Sequence, residues 1–201
     1  MKKIYLSIVA AVSLMFVSCT ADWLNTDPST AVPSDDAIKN IDDAQVALNG
    51  IYRLASAHSY YGDNYLYYAD CRGEDVQARI NKGAGRRVSP YYFFDVTADD
   101  NFNITLVWNQ PYKVIHQANS LIEKLDAGNA KPEEVARIKS EALAMRGLAL
   151  FDLTRLFGMP YTLDNGASLG VPIEIQTTLE DHAPERNTVC LLYTSDAADE
   201  E

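Results

Sequence analysis

Positive charge is scarce in this chain. Its 201 residues hold 17 Lys and Arg against 28 Asp and Glu, a formal net charge of −11. That balance excludes a nucleic-acid partner, because binding phosphates needs a basic face. Cysteine is scarce too, limited to Cys19, Cys71 and Cys190. No Cys-x-x-Cys or His-x-x-x-His spacing occurs, and His58, His116 and His182 are scattered, so no metal site is expected. Asn81-Lys82-Gly83-Ala84-Gly85 is a flexible loop, not a phosphate loop, since no strand precedes it and no Gly-Lys-Ser/Thr ends it. No Ser/His/Asp or Cys/His nucleophile pattern is present, and nothing calls for a cofactor or a catalytic residue. After Cys19 no apolar run is long enough to span a bilayer.

The N-terminus is different. Lys2 and Lys3 form a positive head, and residues 4–17 are uncharged and mostly apolar. A spanning helix needs about 20 apolar residues, so this shorter run reads as a signal peptide. Phe16-Val17-Ser18-Cys19 follows, with small Ser18 directly before the cysteine. It resembles a bacterial lipobox, in which the thiol receives a diacylglyceryl group and cleavage falls before the cysteine. Phe16 is bulkier than the usual Leu. Residues 1–18 are therefore the leader, and Cys19 is the lipid attachment site that reaches the membrane. The plainer alternative is an ordinary signal peptide that happens to contain a cysteine. Two or three acyl chains hold firmly where one is marginal, at about 0.8 kcal/mol per buried CH₂.

Residues 19–33 are short, polar and Pro-containing, an extended tether with Trp23 and Leu24 as an anchor. Helical spacing then predicts a first helix over 35–57, with Ser34 as cap and Ile38, Ile41, Ala44, Leu48, Ile51, Tyr52 and Ala55 on one face. Residues 65–69 form a short helical or extended piece. A second helix spans 108–125, with Val114, Ala118, Leu121, Ile122 and Leu125 on one side and Asn119 bonded to nearby backbone. A third opens at Pro132-Glu133-Glu134 and stops at Gly158 and Pro160. Its small residues Ala142, Ala144, Gly147 and Ala149 admit a close neighbour. Such helix pairs are the unit of helical repeats, although no strict internal repeat appears. Val171-Pro172-Ile173 is a short extended stretch, and the rest of 161–189 reads as loop.

Residues 58–104 are rich in tyrosine and phenylalanine. Tyr60, Tyr61, Asp63, Asn64 and Tyr65 have the composition of a sugar site, since sugar C–H faces stack on aromatic rings and polar neighbours satisfy hydroxyls. The competing expectation is that Tyr65, Tyr67 and Tyr68 are core residues whose hydroxyls reach the surface. Arg72, Glu74 and Asp75 read as an ion-pair cluster. Asp152 and Arg155 are spaced to pair along their helix. An enzyme is the alternative of a different class. A glycosidase needs two carboxylates across a cleft, and the sequence does not place two of its many acids in that way.

The tail stands apart. Residues 190–200 read Cys-Leu-Leu-Tyr-Thr-Ser-Asp-Ala-Ala-Asp-Glu. Back-translated with a suitable codon choice, they give the adapter of transposase-based sequencing libraries. Residues 190–201 are thus expected to be non-native, with the domain cut near Val189; an acidic native tail is the alternative.

Several stretches, in order, carry a family resemblance. They are the lipobox, Trp23-Leu24-Asn25-Thr26-Asp27-Pro28, Ala47-Leu48-Asn49-Gly50-Ile51-Tyr52 and Arg72-Gly73-Glu74-Asp75-Val76. Trp108 follows with Tyr112, Ile115, Ala118-Asn119 and Leu121-Ile122. Next come Glu141-Ala142-Leu143-Ala144-Met145-Arg146-Gly147, Leu156-Phe157-Gly158-Met159-Pro160, Leu169-Gly170-Val171-Pro172 and Arg186-Asn187-Thr188-Val189. The ordered set resembles the SusD/RagB family of outer-membrane nutrient-binding lipoproteins, over residues 15–189. The resemblance implies an all-α fold of tetratricopeptide-like helix pairs with long irregular loops, of which 34–189 would be the N-terminal part of an incomplete domain. It implies an outer-membrane, lipid-anchored location at the cell surface. It also implies a glycan ligand and a SusC-like TonB-dependent transporter as partner, with no catalysis. A peptide ligand, a purely structural lid, or a surface glycoside hydrolase are the alternatives. Re-amplifying the genomic locus is expected to return different codons after Val189; recovering the same codons would refute the adapter origin of the tail.

Overall fold

Helices form where apolar spacing predicts them, with a shifted start and two short additions. The computed structural model describes residues 38–73, 104–126, 132–178 and 183–195. Cys19, the tether 19–33 and Ser34 lie outside these residues, as do Glu74 and Asp75. Helix α1 is Ile41–Ala55, α2 Asn64–Asp70, α3 Ile104–Asp126, α4 Pro132–Phe157, α5 Tyr161–Asp164 and α6 Val189–Ser195. The described residues contain no named strand, only an isolated antiparallel bridge between Leu169 and Thr188.

The first helix does not run continuously from residue 35, because residues 38–40 are not helical. Asn40 caps α1 instead. Its side chain accepts from the Asp43 N–H at 2.9 Å, and the Asp43 carboxylate accepts from the Lys39 N–H at 3.0 Å. These bonds occupy donors that a helix start leaves without intrahelical partners. Ala44, Leu48, Ile51 and Ala55 then recur on the buried face.

Helix α3 packs against α4, and α1 packs against both. Their shared core holds Leu48, Ile51, Val114, Ile115, Leu121, Ile138, Leu150 and Leu153. Each such side chain contributes about 1.5–3 kcal/mol when fully buried. Ala142 and Ala149 are buried in the same core, whereas Ala144 is exposed. Pro111 sits inside α3 and lacks the N–H that would bond one turn back. The helix nevertheless continues, since Val107, Val114, Ile115 and Ala118 are all buried on either side of it. One residue earlier, Gln110 Nε2 donates to the Leu54 carbonyl at 3.0 Å. That carbonyl lies in the last turn of α1, where helical carbonyls lack helical partners.

Beyond α4 the chain folds back. Asn165 and Gly166 take positive φ values of 57° and 76°. A Cβ at Gly166 would lie 2.8 Å from both the Cys190 nitrogen and the Tyr161 ring, so only glycine fits the crossing. Residues 170–178 form a strap without regular secondary structure, bent at Gln176. The last helix, α6, begins at the end of the expected loop and otherwise falls on the residues expected to be a non-native tail; Val189 and Leu192 are buried there and the helix meets α4. Cys71 and Cys190 are not joined in a disulfide. Among the described residues, no helix is long and apolar enough to cross a membrane.

Candidate functional site

The sequence singled out Tyr60, Tyr61, Asp63, Asn64 and Tyr65. The structure brings the three tyrosines together, but around a carboxylate. Tyr60 and Tyr61 hydroxyls each donate to Asp152 Oδ2 at 2.6 Å, and the Tyr65 hydroxyl donates to Oδ1 at 2.6 Å. The rings pack on one another with centroids 4.5–5.6 Å apart. Tyr60 is 0% exposed and Tyr65 8% exposed, while Tyr61 is half-buried. Asn64 is buried, and Asp63 pairs with His58 Nε2 at 2.8 Å. These groups are thus engaged inside the protein rather than displayed as a stacking platform.

The expected pairing of Asp152 with Arg155 is not the one formed. Arg155 Nη1 reaches the Tyr65 hydroxyl at 3.4 Å, and that hydroxyl in turn donates to Asp152. Arg72 donates to the Tyr68 hydroxyl at 2.6 Å and lies over its ring. Burial, reinforced by the Asp152 carboxylate, pushes the phenols of Tyr60, Tyr61 and Tyr65 well above their ordinary value of 10.0.

A cleft of about 510 Å³ opens elsewhere, between α3 and the strap. That volume lies within the range of about 300–1,000 Å³ typical of small-molecule sites. Trp108, Tyr112, Ile115, His116 and Asn119 line it from the helix. Their spacing places them on one helical face, since side chains three and four residues apart neighbour one another. Pro172, Glu174, Gln176 and Thr178 line it from the strap, and Pro184 and Arg186 close it. The Trp108 ring is braced edge-on by Phe157 at 4.9 Å and meets Tyr112 at 5.2 Å. Tyr112 donates to the Pro172 carbonyl at 3.0 Å. Burial, then the Glu174 charge, push its phenol up. Arg186 Nε and Nη2 donate to the Gly170 and Leu169 carbonyls at 2.6 and 2.9 Å, fixing the strap's entry.

Such a cleft has braced aromatic surface below and carboxylate, amide, hydroxyl and imidazole groups around it. It suits a ligand with apolar ring faces and hydroxyl edges. Among the described residues, no group of three His, Cys, Asp or Glu side chains is placed to hold a metal ion. The cleft was not apparent in the sequence, although Trp108, Tyr112, Ile115 and Asn119 already carried the family resemblance. Their regular spacing on a second face of α3, beside the core stripe and sharing Ile115 with it, is the signal that locates it.

The tyrosine cluster yields a sign for stability against pH. Unfolded phenols lose their protons near pH 10, whereas the folded ones hold theirs to higher pH. The contribution is therefore complete below pH 10 and is lost as pH rises above it. Urea midpoints should fall between pH 9 and 11, with tyrosinate absorbance from this cluster emerging only on unfolding. Asp152→Asn should lower stability by about 1–3 kcal/mol, because at least one phenol loses its acceptor; an unchanged urea midpoint at pH 7 would show that the cluster contributes nothing.

Residues 22–199 match the model of the SusD-like family, described as starch-binding associating with outer membrane. A SusD superfamily protein from Bacteroides thetaiotaomicron is 62% identical, with a TM-score of 0.74 over 80% of this chain and 36% of that one. Another, from Bacteroides vulgatus, is 30% identical, with a TM-score of 0.73 over 80% of this chain and 36% of that one. SusD-like protein P2 of Formosa agariphila is 28% identical over 162 residues, 80% of this chain and 31% of that protein. This chain spans about a third of the length of these relatives. The helix pairs share the helical, tetratricopeptide-like architecture of the superfamily structures. With the profile matched across nearly the whole sequence and the helices superimposed, the chain belongs to the SusD-like family.

Proposed function

We propose that this protein binds glycan at the outer membrane, tethered by lipid on Cys19, and passes it to a SusC-like TonB-dependent transporter without cleaving it. The observation that carries glycan binding is the cleft beside α3, where Trp108 and Tyr112 form an aromatic floor under Glu174, Gln176 and Thr178. Flat C–H faces of a pyranose stack on such rings, and its hydroxyls bond to the polar wall. The family's description as starch-binding and outer-membrane-associating supports the same class of ligand and the same location.

Binding without hydrolysis has a geometric support. Glycosidases set two carboxylates on opposite sides of the scissile bond, and of the described residues that line the cleft only Glu174 carries one. The lipobox supports the anchor, and transfer to a barrel transporter is carried over from the family resemblance.

In native gels cast with a panel of polysaccharides, the full-length protein should be retarded by at least one polymer without shortening it. Trp108→Ala, with helicity checked by circular dichroism, should weaken that retardation at least tenfold, or about 1.4 kcal/mol. Retardation unaffected by Trp108→Ala would move the site away from the cleft, shortened polymer would mark an enzyme, and no retardation by any polymer would reject glycan binding. Cys19→Ala should abolish labelling by a fatty-acid analogue in cells; persistent labelling would rule out this anchor.

A further inference from the structure

Helix α3 and the strap run side by side and are tied at intervals. The Tyr112 hydroxyl donates to the Pro172 carbonyl at 3.0 Å. Asn119 Nδ2 donates to the Glu174 and Gln176 carbonyls at 2.9 and 3.2 Å. Glu123 Oε1 accepts from the Thr177 N–H at 2.7 Å. These ties form a ladder between helical side chains and strap backbone.

Asn119 is the middle rung and the only one set in the core, at 1% exposed. Its side-chain carbonyl accepts from Arg146 Nη1 at 3.2 Å. Arg146 comes from α4 and is itself 4% exposed. A guanidinium only donates, so the amide oxygen must face it. The amide nitrogen, with its two hydrogens, is thereby turned to the strap, where it meets two carbonyls. Glu174 and Gln176, whose carbonyls it holds, line the cleft together with Thr178.

We propose that Asn119, oriented by Arg146, is a positioning residue of the cleft: it sets the register of the strap so that Glu174, Gln176 and Thr178 face Trp108 and Tyr112. The proposal rests on the cleft being the glycan site. Asn119→Asp separates positioning from plain stabilisation. The carboxylate keeps Arg146 as a partner but offers no N–H to the Glu174 and Gln176 carbonyls.

Hydrogen exchange by mass spectrometry on the full-length protein reads the outcome. In Asn119→Asp, peptides covering residues 172–178 should exchange at least tenfold faster, with α3 and α4 unchanged, and retardation by soluble starch should drop at least tenfold. Unchanged strap exchange, equal acceleration in the helices, or fast exchange with undiminished retardation would each overturn the positioning role. Should Asn119→Asp fail to fold, Glu123→Ala at the exposed end of the ladder serves instead: the Thr177 N–H must exchange at least tenfold faster, and no acceleration would overturn the ladder. If soluble starch fails to retard the unaltered protein, glycan binding fails for that polymer, and the exchange rates still decide whether Asn119 holds the strap.

Discussion

One buried carboxylate ties the described elements together. Asp152 lies in the last turns of α4, and three phenols reach it from the α1–α2 connection and from α2. Burying a carboxylate is costly unless hydrogen bonds replace the water it loses. Here three O–H donors at 2.6 Å do so, and the rings that carry them fill the space around it. The connection after α1 is thereby fixed against α4. The same arrangement engages the hydroxyls of Tyr60, Tyr61 and Tyr65 with Asp152.

Helix α3 has two lined faces. One carries Val114, Ala118, Leu121 and Leu125 into the core shared with α1 and α4. The other carries Trp108, Tyr112 and His116 into the cleft. The strap opposite pairs by backbone at its start, where the Gly170 N–H donates to the Asn187 carbonyl at 2.7 Å and the Val171 carbonyl accepts from the Asn187 N–H at 3.2 Å. Its backbone polar groups are met by side chains of α3 and by Asn187, which accepts from the Ile173 N–H at 2.8 Å. A buried backbone group left without a partner is destabilising, so these side chains both satisfy the strap and place it. Function and folding meet at this point, because the bonds that let the strap lie on the helix also shape the cleft.

The sequence conveyed much of the helical frame and little of the site. The stripe Ala44, Leu48, Ile51 and Ala55 predicted α1, whose cap is Asn40, with its side chain accepting from the Asp43 N–H. Pro132-Glu133-Glu134 and Gly158 bracketed α4 closely. Asn119 was read as bonding backbone, which it does, yet the carbonyls it meets lie more than fifty residues away at Glu174 and Gln176. The tyrosines were recognised as an unusual cluster. That Asp152, some ninety positions later, would gather their hydroxyls was not apparent, because no local rule links those segments.

By itself, the sequence determined the acidic balance, the helix-forming stripes and the ordered motifs that mark a SusD-like protein. All of these depend on near neighbours in the chain, through periodicity, capping or short signals read in order. Tertiary structure alone decided that the tyrosines face inward and that a second face of α3 lines a cleft. It also decided that Arg146, through Asn119, holds a strap from far along the chain. Those outcomes depend on which distant donors and acceptors arrive within hydrogen-bonding distance, and only the packing of α1, α3 and α4 sets that.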